Sequence, residues 1–306
     1  MPSKNLDPNG QSGNRRKSFA EFKRRLTGMQ KDVLALFDTL PVTQREVQET
    51  VITNKTIYEW LVDSFGLTQA QQELRRIVQR WLQTDTTGRQ NFFTNYIEEA
   101  YRKGAIEATL RVKLLAEQAS LDPVAIAQMD PMLIVSSPAY VDRVNMVFTQ
   151  AFTVMKGFSD DQIVDIGRIL TQTITSGLSP RSAQQAIRKH FKTTRARAER
   201  ISRTEINRSH SLGRLEQNKD TRNRLGIDVR VIHRSALQFE RTRRTHGMRH
   251  GNIYTIEEQA QWWDEGTNRI NCLCSSTEVV VDKDGKPYDT GLKAKFEKQR
   301  KQYYGK

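Results

Sequence analysis

The chain has 306 residues, with 49 Lys and Arg against 35 Asp and Glu and a formal charge of +14. Hydrophobic residues reach only 37% and charged ones 27%, a balance that suits a helical body with a polar surface. No run of about 18 apolar residues occurs, which excludes a membrane-spanning helix, and the basic surplus points to polyanionic partners.

In chain order, residues 1–14 are rich in Pro, Gly, Asn and Ser, so disorder is expected, and the absence of an apolar signal core predicts no Sec-type export. Arg15 to Arg25 is basic with Phe19 and Phe22 interleaved. Leu26, Met29, Val33, Leu36, Phe37 and Leu40 then follow at steps of three and four, predicting an amphipathic helix up to Pro41. That helix packs on its own body or acts as an arm that docks on a partner. From Thr43 to about Ser120 the pattern reads as helical. Trp60, Leu61, Phe65 and Leu67 close one helix near Gly66, and Leu74, Ile77, Val78, Trp81 and Leu82 stripe a second. A long third carries Phe92, Phe93, Tyr96, Ile97, Ala100, Tyr101, Ala105 and Ala108 on to Leu115.

Asp122-Pro123 and Asp130-Pro131 read as helix starts, Asp capping and Pro in the first turn, and Ser136-Ser137-Pro138 breaks the chain again. Ser159-Asp160-Asp161 is expected to cap a helix that Gly177 stops. Ser179-Pro180 opens the next, and Thr194 to Asn223 reads as one long helix ending at Gly226. Beyond it β-branched residues take over at Val229–Ile232, Ile253–Ile256 and Thr277–Val281, with a turn at Asp282–Lys286. The tail from Leu292 reads as a short basic helix or a frayed end. The expected fold class is α+β, predominantly helical: a long helical N-terminal body with a small C-terminal β-rich Cys/His module. The expected segments are a basic arm and helix (1–40), a helical body (41–150), a basic helical part (151–226), the β-rich module (227–282) and a basic tail (283–306).

Arg181 to His250 holds 19 Lys and Arg against 6 acids, whereas Pro41 to Gln150 holds 11 against 13. So local a surplus suits a nucleic-acid or acidic-protein contact better than a general solubility device. Arg195, Arg197, Arg200, Arg208 and Arg214 on the long helix are the candidate phosphate contacts. Ile201, Glu205, Leu212 and Leu215 share a face, which places the Glu205 carboxylate among apolar neighbours where it needs a partner. Arg241 or Arg243 would supply it as a structural lock, with Arg208 as the alternative. A perturbed catalytic carboxylate is the rival reading.

Both cysteines of the chain, Cys272 and Cys274, and two of its five histidines, His246 and His250, lie in one short region. They make a candidate Cys2His2 metal set, with a structural zinc as the cofactor it would take. A metal-free buried knot is the competing reading. Gly251 and the strand-like residues after it favour a turn over a helix around the two histidines. Cysteines one residue apart make an awkward disulfide, so a reducing compartment is expected. No nucleophile elbow, P-loop or paired acidic motif occurs, and no catalytic residue is assigned. A metal-dependent nuclease remains the enzymatic alternative. A sequence-specific regulator lacks any helix-turn-helix or finger pattern.

Taken together, G-L-S-P-R-S-A-Q-Q-A-I (Gly177 to Ile187), R-A-R-A-E-R-I-S-R-T-E (Arg195 to Glu205), R-T-R-R-T-H-G-M-R-H-G-N-I-Y (Arg241 to Tyr254) and N-C-L-C (Asn271 to Cys274) resemble the Mu F-like minor head proteins of tailed bacteriophages, the phage head morphogenesis family. The resemblance covers roughly residues 155–282. Where the family carries N-C-R-C after a nearby His, this chain has Leu273 and Arg269. Where an Asp usually precedes the glycine, it has His250. The resemblance implies a non-enzymatic minor capsid protein in the virion, bound to the portal protein inside the prohead and close to phage genomic DNA. Scaffolding or major capsid protein would be further partners, and no membrane is involved.

Overall fold

The computed structural model describes residues 7–48, 54–83 and 91–305. Its helices are α1 (Ser12–Asp38), α2 (Ser64–Leu82), α3 (Phe92–Gln118), α4 (Pro123–Ala127), α5 (Pro131–Val135), α6 (Pro138–Thr175), α7 (Pro180–Leu225), α8 (Arg244–Arg249), α9 (Ile256–Asp264) and α10 (Gly291–Tyr304). A two-stranded hairpin pairs β1 (Val42–Gln48) with β2 (Asn54–Trp60). A three-stranded antiparallel sheet has the order β4-β3-β5, from β3 (Val229–Arg234), β4 (Ile253–Tyr254) and β5 (Ser275–Val280). The α+β, mostly helical class expected from the sequence is what forms. No helix among the described residues is long and apolar enough to cross a membrane.

Two compact units result: Ser18–Thr94 with Thr149–Glu199, and Met1–Lys17 with Asn95–Phe148 and Arg200–Lys306. The first is a helical body whose core takes Phe22, Leu26, Met29 and Val33 from α1, Leu74, Ile77 and Val78 from α2, and Ile187 and Phe191 from α7. Phe22 meets Phe93 and Phe158 edge to face at 5.4 and 5.8 Å, an arrangement that favours opposed ring quadrupoles. In the basic stretch of α1, Arg16, Lys17, Lys23 and Arg24 are exposed, while Arg15 and Arg25 are part-buried. Arg25 bonds Glu21 and the Trp81 carbonyl and stacks over Phe92, and Arg24 also bonds Glu21.

Three expectations need correction here. The start of the expected helical body is instead the β1–β2 hairpin, so Trp60 ends a strand. Its buried indole N–H donates to the Leu178 carbonyl at 2.9 Å, and α2 begins where a helix was expected to close, capped by Asp63. Ser159-Asp160-Asp161 caps nothing, because α6 runs straight through it and Ser159 is buried, its hydroxyl returned to the Met155 carbonyl. The disorder expected for residues 1–14 fails from Asp7 onward, residues 1–6 lying outside the described part. Asn9 is buried, and its side-chain N–H donates to Asn207 Oδ1 at 2.7 Å.

The second unit is built on α3, α7 and the sheet. Val112, Leu115, Ala116, Met129, Val229 and Val280 form one cluster, while Leu215, Val231, Ile256 and Trp263 form another. Ile232, Val279 and Val281, pointing the opposite way from Val229 and Val231, pack on Phe296 of α10. The tail is therefore a docked helix. Helices α3 and α7 touch backbone to backbone: a Cβ on Gly104 would lie 2.1 Å from the His210 carbonyl oxygen, and one on Gly213 would lie 2.2 Å from that of Tyr101. Helix starts and stops follow local chemistry as expected. Asp122 and Asp130 accept from the N–H groups of Val124 and Met132, just after Pro123 and Pro131, and Gly226 ends α7 with φ +66°.

Candidate metal centre

The sheet carries the Cys/His module at its edge. After β3 the chain passes through Leu237 and Glu240, both left-handed at φ 45° and 62°, into α8. There His246 is turned inward and buried. After α9 the chain returns through Asn271, also left-handed at φ 57°, to Cys272 and Cys274 just before β5. The residues around His246 are thus helical, where a turn was expected. His246 Nδ1 stands 3.4 Å from the Cys274 sulfur and 3.4 Å from the Cys272 sulfur, and the Cys274 N–H donates to the Cys272 sulfur at 3.2 Å. The three side-chain donor atoms all lie within 4.8 Å of one another and could hold a metal ion. Hydrogen bonding from Cys274, followed by that from His246, holds the Cys272 thiol well below its ordinary range, while the pairing with Cys272 and burial push Cys274 well above it.

What surrounds the cluster comes from three segments. Arg243 donates to the carbonyl oxygens of Thr267, Asn268 and Ile270 at 2.9, 3.3 and 2.6 Å and approaches His246 Nε2 at 3.1 Å, tying α8 to the cysteine loop. From α7, Asn207 donates to the Cys272 carbonyl at 2.5 Å, Arg203 to Asn271 Oδ1 at 2.5 Å, and Thr204 Oγ1 accepts from the Asn271 N–H at 2.9 Å. Trp262 presents its ring at 4.8 Å from the His246 ring. Arg203, Thr204, Asn207 and Trp262 carry no spacing signal that would have marked them. Their role depends on contacts across some 65 residues of chain, as for Asn207 and Cys272.

His250 does not join the set. Its Nδ1 accepts from the Ser235 N–H at 3.0 Å, its Nε2 faces Gln299 of α10 at 3.1 Å, and its ring packs on Phe296. The expected lock is likewise displaced. Arg243 is occupied by the Thr267, Asn268 and Ile270 carbonyls, as described. Burial raises the Glu205 pKa, with Arg208 and Arg269 acting against the rise.

The buried ion pair of this unit lies elsewhere, between α7, α3 and β5. Arg214 donates to Glu278 Oε1 at 3.1 Å and Oε2 at 2.5 Å and to Glu107 at 2.8 Å, and Asn218 donates at 3.2 Å to Glu278, which is fully buried. Arg214 is therefore removed from the candidate DNA contacts. Arg195 donates to Gln30, Arg197 pairs with Asp161 and lies over Phe158, and Arg208 is half-buried. Of the five, only Arg200 is exposed. The further exposed cations of α7 are Arg181, Arg188, Lys189, Lys192, Lys219 and Arg224, the last paired with Asp220.

Residues 164–277 match the family model described as phage Mu protein F like protein, a stretch shorter than half the chain. It covers the last third of α6, all of α7 and the sheet module into the start of β5. No curated protein and no solved structure matches the chain.

Proposed function

We propose that this chain, which carries a phage Mu protein F like domain over residues 164–277, is a minor head protein of a tailed phage that binds the portal inside the prohead and contacts DNA without sequence readout. The domain match is the observation that carries the reading. It is supported by the local excess of cations between Arg181 and His250 and by where they sit. Arg181, Arg188 and Lys192 follow one another at seven and four residues along α7 and are exposed, so they share a helical stripe. Cations in such a row engage phosphates and release counterions but carry no base specificity.

The protein acts in this reading as a scaffold inside the virion and, during assembly, in the host cytoplasm, with no turnover of its own. Scaffolding or major capsid protein are the remaining partners it would meet. Co-expression with the portal protein of the same phage tests it: the two should co-elute, and a portal that elutes alone sinks the portal contact. DNA binding that persists unchanged across roughly a tenfold range of salt, from about 50 to about 500 mM, would sink the phosphate contact. Plasmid nicking that needs Cys272 and His246 would instead favour the nuclease alternative.

A further inference from the structure

We propose that His246, Cys272 and Cys274 bind one thiophilic divalent cation, zinc in its chemistry, as a three-residue centre whose fourth coordination position faces solvent. One nitrogen and two sulfurs define the geometry. His246 Nδ1 lies 3.4 Å from each cysteine sulfur, yet an imidazole nitrogen carries at most one hydrogen and cannot aim it along both lines. Two equal distances from one nitrogen are the spacing a shared cation needs. With metal–sulfur bonds of about 2.3 Å and metal–nitrogen bonds of about 2.0 Å, the nitrogen–sulfur edge of a coordination tetrahedron is about 3.5 Å.

The contact from Arg243 does not oppose this. Its Nη1 reaches His246 Nε2, the Thr267 carbonyl and the Asn268 carbonyl at once. Binding through Nδ1 puts the imidazole proton on Nε2, where it would face a guanidinium that only donates, so metal loading turns Arg243 off the ring and onto the Thr267 and Asn268 carbonyls it already reaches. The donors are held in place without the ion: α8 fixes His246, while Asn207 and Arg203 fix the loop that carries the sulfurs.

The fourth position follows from the pocket. All three donor residues line one open pocket together with Gln238, Arg241 and Thr242. No fourth His, Cys, Asp or Glu joins the group among the described residues. Two thiolates balance a divalent ion, and the adjoining guanidinium groups favour water, hydroxide or a small anion as the last ligand. An open fourth position distinguishes this centre from a closed structural site of four protein ligands.

The full-length chain, stripped with a chelator and reloaded with cobalt(II), tests this directly. One equivalent should bind, with a sulfur-to-cobalt charge-transfer band, the intense visible bands of four-coordinate cobalt, and a shift of those bands on adding azide. Cys272→Ser and Cys274→Ser should each weaken binding at least about tenfold, whereas His250→Gln should keep the full equivalent. A wild-type chain that takes up no cobalt, or shows no thiolate band, overturns the centre whatever the Ser variants do. Cobalt lost from a folded His250→Gln protein overturns the three-residue assignment. A spectrum indifferent to azide overturns the open position.

Discussion

Arg214 is the residue on which the second unit most depends. Its guanidinium reaches carboxylates on two other elements, and both it and Glu278 are withdrawn from water. Removing one partner of such a pair leaves a buried charge with no counterion, which costs about 3–5 kcal/mol. Arg214→Ala, which strands the fully buried Glu278 carboxylate, should lower unfolding stability by that amount in urea titration, whereas Glu278→Ala, which leaves Arg214 its Glu107 partner, should cost less. Glu205→Gln should change it by less than about 1 kcal/mol or raise it slightly, because the Glu205 carboxylate is already disfavoured by burial. Neither the lock nor its location was legible in the sequence. Glu278 sits in a run of β-branched residues, and its partner lies 64 positions away, a pairing that only the sheet register creates. The cysteines and His246 were legible because thiol and imidazole are rare enough for proximity in sequence to carry information. His250 was grouped with them wrongly, since at the end of α8 its ring turns to α10.

His233 sets a pH dependence at the same scale. Burial holds its pKa down at about 3, its Nδ1 meets Gln259, and its Nε2 is buried without a hydrogen-bond partner. The unfolded chain binds this proton near pH 6.5 and the folded one does not. Stability is therefore complete above that pH and is lost as the pH falls toward 3, by about 2 kcal/mol between pH 7 and pH 5. Urea unfolding at those two pH values should show the loss, and His233→Gln should reduce the difference between them by a similar amount.

Among the elements, the long helices and their ends were legible for a plain reason. Asp-Pro starts, the Ser179-Pro180 start and Gly226 act through local backbone chemistry that survives any tertiary context. The β1–β2 hairpin was not. Thr43, Gln44, Arg45 and Glu46 lie mostly in water, so no alternation of buried and exposed side chains exists to reveal a strand. Helix α8 was hidden by Gly251 and the strand-like residues after it, which read as a turn. A Cβ on Gly247 would lie 2.2 Å from the Tyr304 hydroxyl of α10, the far end of an exposed side chain that can move aside. The α3–α7 crossing makes a sharper case. Gly213→Ala would drive a methyl group into a backbone carbonyl rather than into a yielding side chain, so it should cost at least about 1–3 kcal/mol. A thermal scan of the variant checks this; a melting temperature equal to that of the wild type would mean the two helices can separate freely.

For the molecule as a whole, charge is the property to test. The exposed row on α7 predicts that replacing Arg181, Arg188 and Lys192 together by Ala reduces the slope of log affinity for duplex DNA against log salt by roughly 2–3, near 0.9 for each phosphate left without its cation. Replacing Arg195, Arg197 and Arg214 should leave that slope nearly unchanged, although Arg214 would cost stability. Filter-binding titrations across a salt series separate the two outcomes. Composition and the position of the charge were legible from sequence, but which arginines face water was not, because cations recur all round α7 and spacing alone does not separate the exposed row from the paired ones. Finally, where Gly104 and Gly213 bring two main chains into contact, solvent has no path between them. Deuterium should therefore reach the amides from His210 to Arg214 only through cooperative opening of that entire unit, making them the slowest reporters of its global unfolding.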